Sequence, residues 1–166
     1  MLGKCHAGPA AVLVALGVTC WVLLPSVCSG FGLGIVAGEP TGVSFKQWLS
    51  GPDALDGAVA WSFGDDSALH IHVDYLYHTV WDGSVRVPGW KLYIGVGGRL
   101  KLVEDDNRLG ARVPFGVTYL FRSSPFDFFL EVAPILDLAP ATELRMNGGV
   151  GIRFYFGQPW QPDLLT

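Results

Sequence analysis

The sequence predicts an all-β fold: eight antiparallel strands in up-and-down order, closed into a barrel. Three observations predict it. Of 166 residues, 50% are hydrophobic and only 16% are charged, a composition that excludes disorder, and the length suits one domain behind a leader. The only long unbroken apolar run falls within the first 30 residues, which excludes a bundle of membrane-spanning helices. From residue 30 onward the dominant period of hydrophobicity is two, the strand period, interrupted at clusters of Gly, Pro, Asp and Ser.

The leader comes first. Lys4 is the one cation before the apolar stretch Ala10 to Leu24, and Pro25 breaks that stretch ahead of the small residues around Ser29. This three-part layout predicts a secretory signal peptide over residues 1–29. The stretch is shorter than the roughly 20 residues an anchor helix needs. All three cysteines (Cys5, Cys20, Cys28) lie in the leader, so the exported chain has neither a disulfide framework nor a cysteine metal site. Losing Lys4 leaves 10 basic against 15 acidic side chains. That balance offers nothing to nucleic acid.

Eight alternating segments follow, over residues 30–156. Phe31, Leu33 and Ile35 alternate with glycines, and Val43 and Phe45 alternate with Ser44, Lys46 and Trp48. Ser50 to Asp56 reads as a turn, after which Val59, Trp61 and Phe63 alternate with small residues. The fourth segment, His70 to Tyr77, has the cleanest alternation: Ile71, Val73, Tyr75 and Tyr77 against His70, His72, Asp74 and Leu76. Leu92, Ile94, Val96 and Leu100 carry the fifth, and Glu104 to Arg108 reads as a charged turn. The sixth, Leu109 to Arg122, answers the seventh, Phe126 to Ala133, across Ser123-Ser124-Pro125. Val150, Ile152, Phe154 and Phe156 carry the last strand, and residues 157–166 form a short C-terminal extension. No segment of the exported chain has a helical period.

The two faces decide which kind of barrel this is. A soluble lipocalin-like carrier of a small ligand would enclose the large apolar residues, but eight strands enclose only enough room for their own side chains or one small ligand. Here the apolar face has a large residue at nearly every position, too much bulk to enclose. The other face is Gly, Ala and Ser interleaved with charges, which suits a narrow interior filled by a few long polar side chains. The expected fold is therefore an eight-stranded antiparallel transmembrane β-barrel, apolar side out. Trp48, Phe63, Tyr77, Trp90, Phe121, Phe126, Phe154 and Phe156 sit near strand ends, as interfacial girdles require.

On this reading Lys46, Arg99, Arg112 and Arg153 face Asp74, Glu131, His70 and His72 in the interior. Charges in so dry a space must be paired. A plug of ion pairs that fixes barrel shape is favoured over a proton path or a catalytic pair. His70-x-His72 with Asp74 has a metal-ligand spacing, but two histidines on one strand are weak evidence, and no metal or cofactor is expected. Pro114 and Pro134 each remove a ladder donor at about the same height. Either a bulge there or strands leaving the membrane near that level accommodates both.

Several blocks together resemble a known family. They are the run Phe31 to Gly42, Trp61 to Asp65, His70 to His78, Gly95 to Lys101, Arg108 to Tyr119, Glu131 to Asp137 and Asn147 to Phe156. They resemble small, mostly uncharacterised bacterial outer-membrane β-barrels, similar in architecture to the OmpA and OmpX barrels of the Gram-negative envelope. The resemblance implies a barrel with both chain ends in the periplasm and no catalytic residues. Phe154, Tyr155 and Phe156 look like the C-terminal aromatic signature read by the barrel-insertion machinery, although here ten residues follow it. The expected role is structural or surface-interacting, in contact with outer-membrane lipids and lipopolysaccharide and with an unidentified extracellular protein ligand. A lipid-A-modifying enzyme is the alternative from another class. It would need a Ser, a His and an acid on the lipid-facing rim, whereas the histidines of the fourth segment are expected to point inward.

Overall fold

The computed structural model describes residues 30–62, 68–80, 89–103 and 107–157. They form nine strands: β1 (Phe31–Glu39), β2 (Thr41–Trp48), β3 (Asp53–Ser62), β4 (Ala68–Val80), β5 (Trp90–Leu102), β6 (Arg108–Arg112), β7 (Phe115–Leu120), β8 (Phe126–Ala139) and β9 (Glu143–Phe156). Every pairing is antiparallel. β1 pairs with β9, and β4 pairs with β5, so the ladder closes on itself. β6 and β7 together occupy the place of one strand between β5 and β8. The eight predicted segments thus account for the ring. The leader with its cysteines, the turns at 63–67, 81–88 and 104–106, and the extension from 158 lie outside the described residues.

The break between β6 and β7 falls at Val113-Pro114, and the register passes straight through it. Arg112 faces Ile135 and Phe115 faces Val132 on β8, while Arg112 faces Gly97 and Phe115 faces Ile94 on β5. No residue is gained or lost across the gap. Val113 N donates to Pro134 O at 3.0 Å, and Gly95 N donates to Pro114 O at 2.8 Å, so both prolines still serve the ladder as acceptors. The proline pair therefore produces no bulge. The register shift lies further along, between Leu109 and Gly110 opposite Ala139 and Asp137.

The faces divide as the alternation predicts. Leu33, Ile35, Val73, Ile94, Val96, Phe115, Phe128, Leu130 and Ile152 are exposed on the outer wall, and Asp74, Lys91, Arg99, Asp127, Asp137 and Arg153 of the same strands are buried. At the end where the two described termini lie, aromatic rings are in contact along that wall. Trp90, Tyr119 and Phe121 form one row and Phe126, Phe154, Phe156 and Phe31 another, with centroids 4.9–6.3 Å apart. Trp48 departs from the expected girdle. It turns inward and packs with Ala54, Leu120 and Tyr155 as an apolar floor at this end of the interior. Its parity along β2, shared with Ser44 and Lys46, outweighs its position at a strand end.

Two strand limits also differ from expectation. β3 begins at Asp53, so Asp53 to Asp56 belong to a strand and not to the turn after Ser50. β8 runs to Ala139 and β9 starts at Glu143, a hairpin longer than the segments around it. β1 reaches only Gly148 of β9, so among the described residues Glu143 to Asn147 have no neighbour on their second edge.

Glycines on the inner wall are sockets for side chains from adjacent strands. A Cβ on Gly32 would lie 2.7 Å from the Tyr155 ring, and one on Gly116 would lie 2.6 Å from the Tyr93 ring and closer still to Leu130 O. Gly98, on the outer wall, has open space: the nearest atom to a Cβ there is Gly110 O at 4.0 Å. Gly116→Val should therefore overpack the interior, at a cost of about 1–3 kcal/mol, and Gly98→Val should not. The temperature at which each variant loses its compact electrophoretic mobility in detergent measures this. Equal midpoints for the two variants would contradict the socket assignment.

Candidate functional site in the barrel interior

Four layers of polar side chains fill the interior above the Trp48 floor. In the lowest, Lys46 Nζ lies 2.7 Å from His78 Nε2 and over the rings of Trp48 and Tyr93, at 5.0 and 5.1 Å. The other ring nitrogen of His78 lies 2.9 Å from Pro52 O, so the imidazole bridges the lysine to the turn before β3.

Arg153 organises the next layer. Its guanidinium is 2.8 Å from Asp56 and 3.5 Å from Asp127, its Nε donates to Ser44 Oγ at 2.9 Å, and it stacks 3.8 Å from the Phe129 ring centroid. Tyr155 donates to Asp127 at 2.7 Å. Geometry on β1 makes this reach feasible. Arg153 and Ser44 both face Gly34, one from each side, and a residue with a side chain there would collide with the Arg153 backbone.

Arg112 organises the third layer, 3.3 Å from Asp74 and 2.5 Å from Glu131, whose other oxygen accepts from Tyr93 at 3.0 Å. Nearer the end formed by the β1–β2 and β8–β9 turns, Arg99 pairs with Asp137 at 2.5 Å, and Arg145 reaches Asp137 at 3.2 Å and Glu143 at 2.5 Å. A small cavity of about 30 Å³ opens at this end, with His72, Arg112, Glu131 and Asn147 in its wall. That is about the share of one water molecule. Of these, His72 and Glu131 are the more accessible, their side chains 11% and 12% exposed against 2% for Arg112.

All eight residues expected inside are on the inner face, but they do not form one cluster. Arg112 joins Asp74 and Glu131 as the charge pattern suggests. Lys46 takes His78 as its neighbour and Arg99 takes Asp137. His70 is buried, yet neither of its ring nitrogens makes a hydrogen bond. The partners that the sequence reading missed are Asp56, Asp127, Asp137, His78 and Tyr93. Asp56 and Asp137 fell outside the predicted segments. The alternation Ala54, Asp56, Ala58, Ala60 against Leu55, Gly57, Val59, Trp61 is the signal that finds Asp56.

Asp56, His72 and Asp74 each bring one ligand atom to within 4.8 Å of the other two. Asp56 and Asp74 are directly opposed on β3 and β4, and His72 is opposite Ala58. His70 is not part of this group, so the spacing His70-x-His72 is not what gathers potential ligands.

No protein-family model matches the sequence, and no curated protein matches it. Among solved structures the chain is similar to the N-terminal β-barrel domain of Pseudomonas aeruginosa OprF. The TM-score is 0.59 at 15% identity, covering 76% of this chain and 96% of that one. The likeness is one of fold: a closed antiparallel β-barrel.

Removing one member of a buried ion pair strands the other at a cost of about 3–5 kcal/mol. Arg153→Met should lose that much stability because Asp56 and Asp127 both depend on it. In an Asp56→Asn background the same change should cost clearly less. A double-mutant cycle of unfolding in denaturant checks this, and strictly additive losses would mean that the pair is not coupled.

Proposed function

We propose that this chain is an integral outer-membrane β-barrel with a structural or surface-interaction role and no catalysis, one of the small barrels its sequence resembles. The observation that carries the reading is the polarity of the wall: large apolar side chains outward on a closed ring, polar and paired side chains inward. In water that arrangement would leave an apolar surface far larger than soluble monomers expose. In lipid it is the required one, because closure also pairs the backbone groups of both edges.

Strand length agrees. β4, β5, β8 and β9 have 13 or 14 residues, more than the 9–11 that a tilted strand needs to cross. With the aromatic rows at the periplasmic interface, the surplus of β8 and β9 stands outside the hydrocarbon. There Leu144 and Met146 are 78% and 67% exposed beside the open edge at Glu143 to Asn147. An edge in that position is suited to pairing with an extended segment of another protein, which supports the interaction arm of the proposal.

Lipid is the other partner. An apolar depression of about 550 Å³, lined by Tyr77, Leu92, Ile94, Phe115, Val117 and Leu130 among others, lies along the outer wall and suits an acyl chain. Phe154 and Phe156 project outward and Tyr155 inward, the disposition a strand-reading insertion machinery would meet. A lipid-facing hydrolase needs an imidazole on that wall. His70 and His78 are buried in the interior, and His72 turns toward Asp74.

Two measurements test the proposal. Extracted from an outer-membrane fraction in detergent without boiling, the protein should migrate differently from the boiled sample. A soluble, unshifted protein would reverse the assignment of the faces. In planar bilayers it should give no sustained conductance, because the Trp48 floor and the ion-paired layers fill the interior.

A further inference from the structure

We infer that Asp56, His72 and Asp74 form a binding site for one divalent transition-metal cation, of the class that zinc represents. The site depends on the closed ring and its inward face, and it holds whichever membrane or partner the barrel serves.

The first argument is placement. Asp56 and Asp74 are cross-strand partners on one face, an arrangement that opposes two carboxylates directly. Like charges so placed are destabilising, and both are buried here. Neither oxygen of Asp74 makes a hydrogen bond, and its side chain is wholly buried. Guanidinium supply is thin: Arg112 is shared between Asp74 and Glu131, and Arg153 between Asp56 and Asp127. A cation held by Asp56 and Asp74 would turn an opposed pair of carboxylates into a bridged one. It would leave Arg112 to Glu131 and Arg153 to Asp127.

The second argument is donor chemistry and access. One imidazole and two carboxylates suit zinc and its neighbours, and carboxylate and carbonyl oxygens alone would suit calcium or magnesium. Tetrahedral zinc with ligand distances of about 2.0–2.2 Å sets its ligand atoms about 3.3–3.6 Å apart. The present separations, all within 4.8 Å, need a closure of at most about 1.5 Å, which rotation of the carboxylates and the imidazole would supply. His72 makes no hydrogen bond among the described contacts, and its ion-pair contact is with Asp74 Oδ2 at 3.9 Å. It also lines the cavity that opens at the end away from the floor, which gives an ion a way in.

The test uses the untagged, detergent-extracted barrel with Cys5, Cys20 and Cys28 changed to serine, stripped with chelator and titrated with Zn²⁺ and with Co²⁺. One Zn²⁺ per chain should be retained through dialysis, and Co²⁺ should develop a visible ligand-field band. His72→Gln should weaken Zn²⁺ binding by more than the roughly 10–100-fold that outer-shell partners are worth, without disturbing the ion pairs. Asp56→Asn and Asp74→Asn should do the same, with the heat-dependent mobility shift confirming that each remains a barrel. His70→Gln, on the same strand and face but outside the triad, should bind as the parent does. No retained ion, unchanged binding by His72→Gln, or an equal loss in His70→Gln would each overturn the inference. The mobility shift is read on the same samples, so a chain that binds no zinc yet shifts refutes the site and leaves the barrel assignment standing.

Discussion

The narrowness of the ring is the constraint from which the rest of this structure follows. Eight strands enclose a space only as wide as the side chains that fill it, so each layer must be assembled from residues of complementary size and charge. This explains the inner wall's composition. Where Tyr155, Arg153, Tyr93 and Asp74 project, the adjacent strand offers Gly32, Gly34, Gly116 and Gly97, and a Cβ at any of these would collide with the projecting residue or its backbone. The glycines that look like weak strand formers are the sockets without which the long polar side chains could not enter.

The same confinement sets the electrostatics. A charge inside cannot be hydrated, so it is tolerable only with a partner in its own layer. Arg153 and Arg112 each meet two carboxylates drawn from different strands, which ties β9 to β3 and β8, and β6 to β4 and β8. Pairings of this kind specify the register of the whole ring more than they add to its stability. A one-residue slip in any strand would exchange its inner charges for outer apolar side chains. The Val113-Pro114 interruption illustrates how firmly the register is held. Ladder bonds are lost there, yet the strands on both sides keep step across it.

Much of this could be read from the sequence, because alternation of period two is a direct record of which side chains share a face. The ring of eight, the outward apolar wall and the inward location of Lys46, His70, His72, Asp74, Arg99, Arg112, Glu131 and Arg153 all follow from parity alone. Pairing does not. Which acid meets which base depends on which residues of strands distant in sequence reach the same height across the interior, as Arg153 of β9 and Asp56 of β3 do, and no local pattern encodes it. Asp56 lies in what reads as a turn rich in Pro, Asp and Gly, which ends four residues earlier than it looks. Trp48 was misread because aromatic residues at strand ends are usually interfacial, whereas here the parity of β2 turns the ring into the floor.

That floor gives the interior a direction. At one end Trp48, Ala54, Leu120 and Tyr155 close the space with apolar bulk. At the other, the layers end in charged residues on a longer hairpin and in a cavity that reaches His72 and Glu131. An interior shut on one side and open on the other communicates with a single compartment. Such an arrangement suits a pocket that takes up something small and holds it, and it is poorly suited to passage between two sides. The elements that confine the interior, its narrow bore and its apolar floor, are therefore the same ones that would make an ion bound at Asp56, His72 and Asp74 answer to the medium at the open end alone.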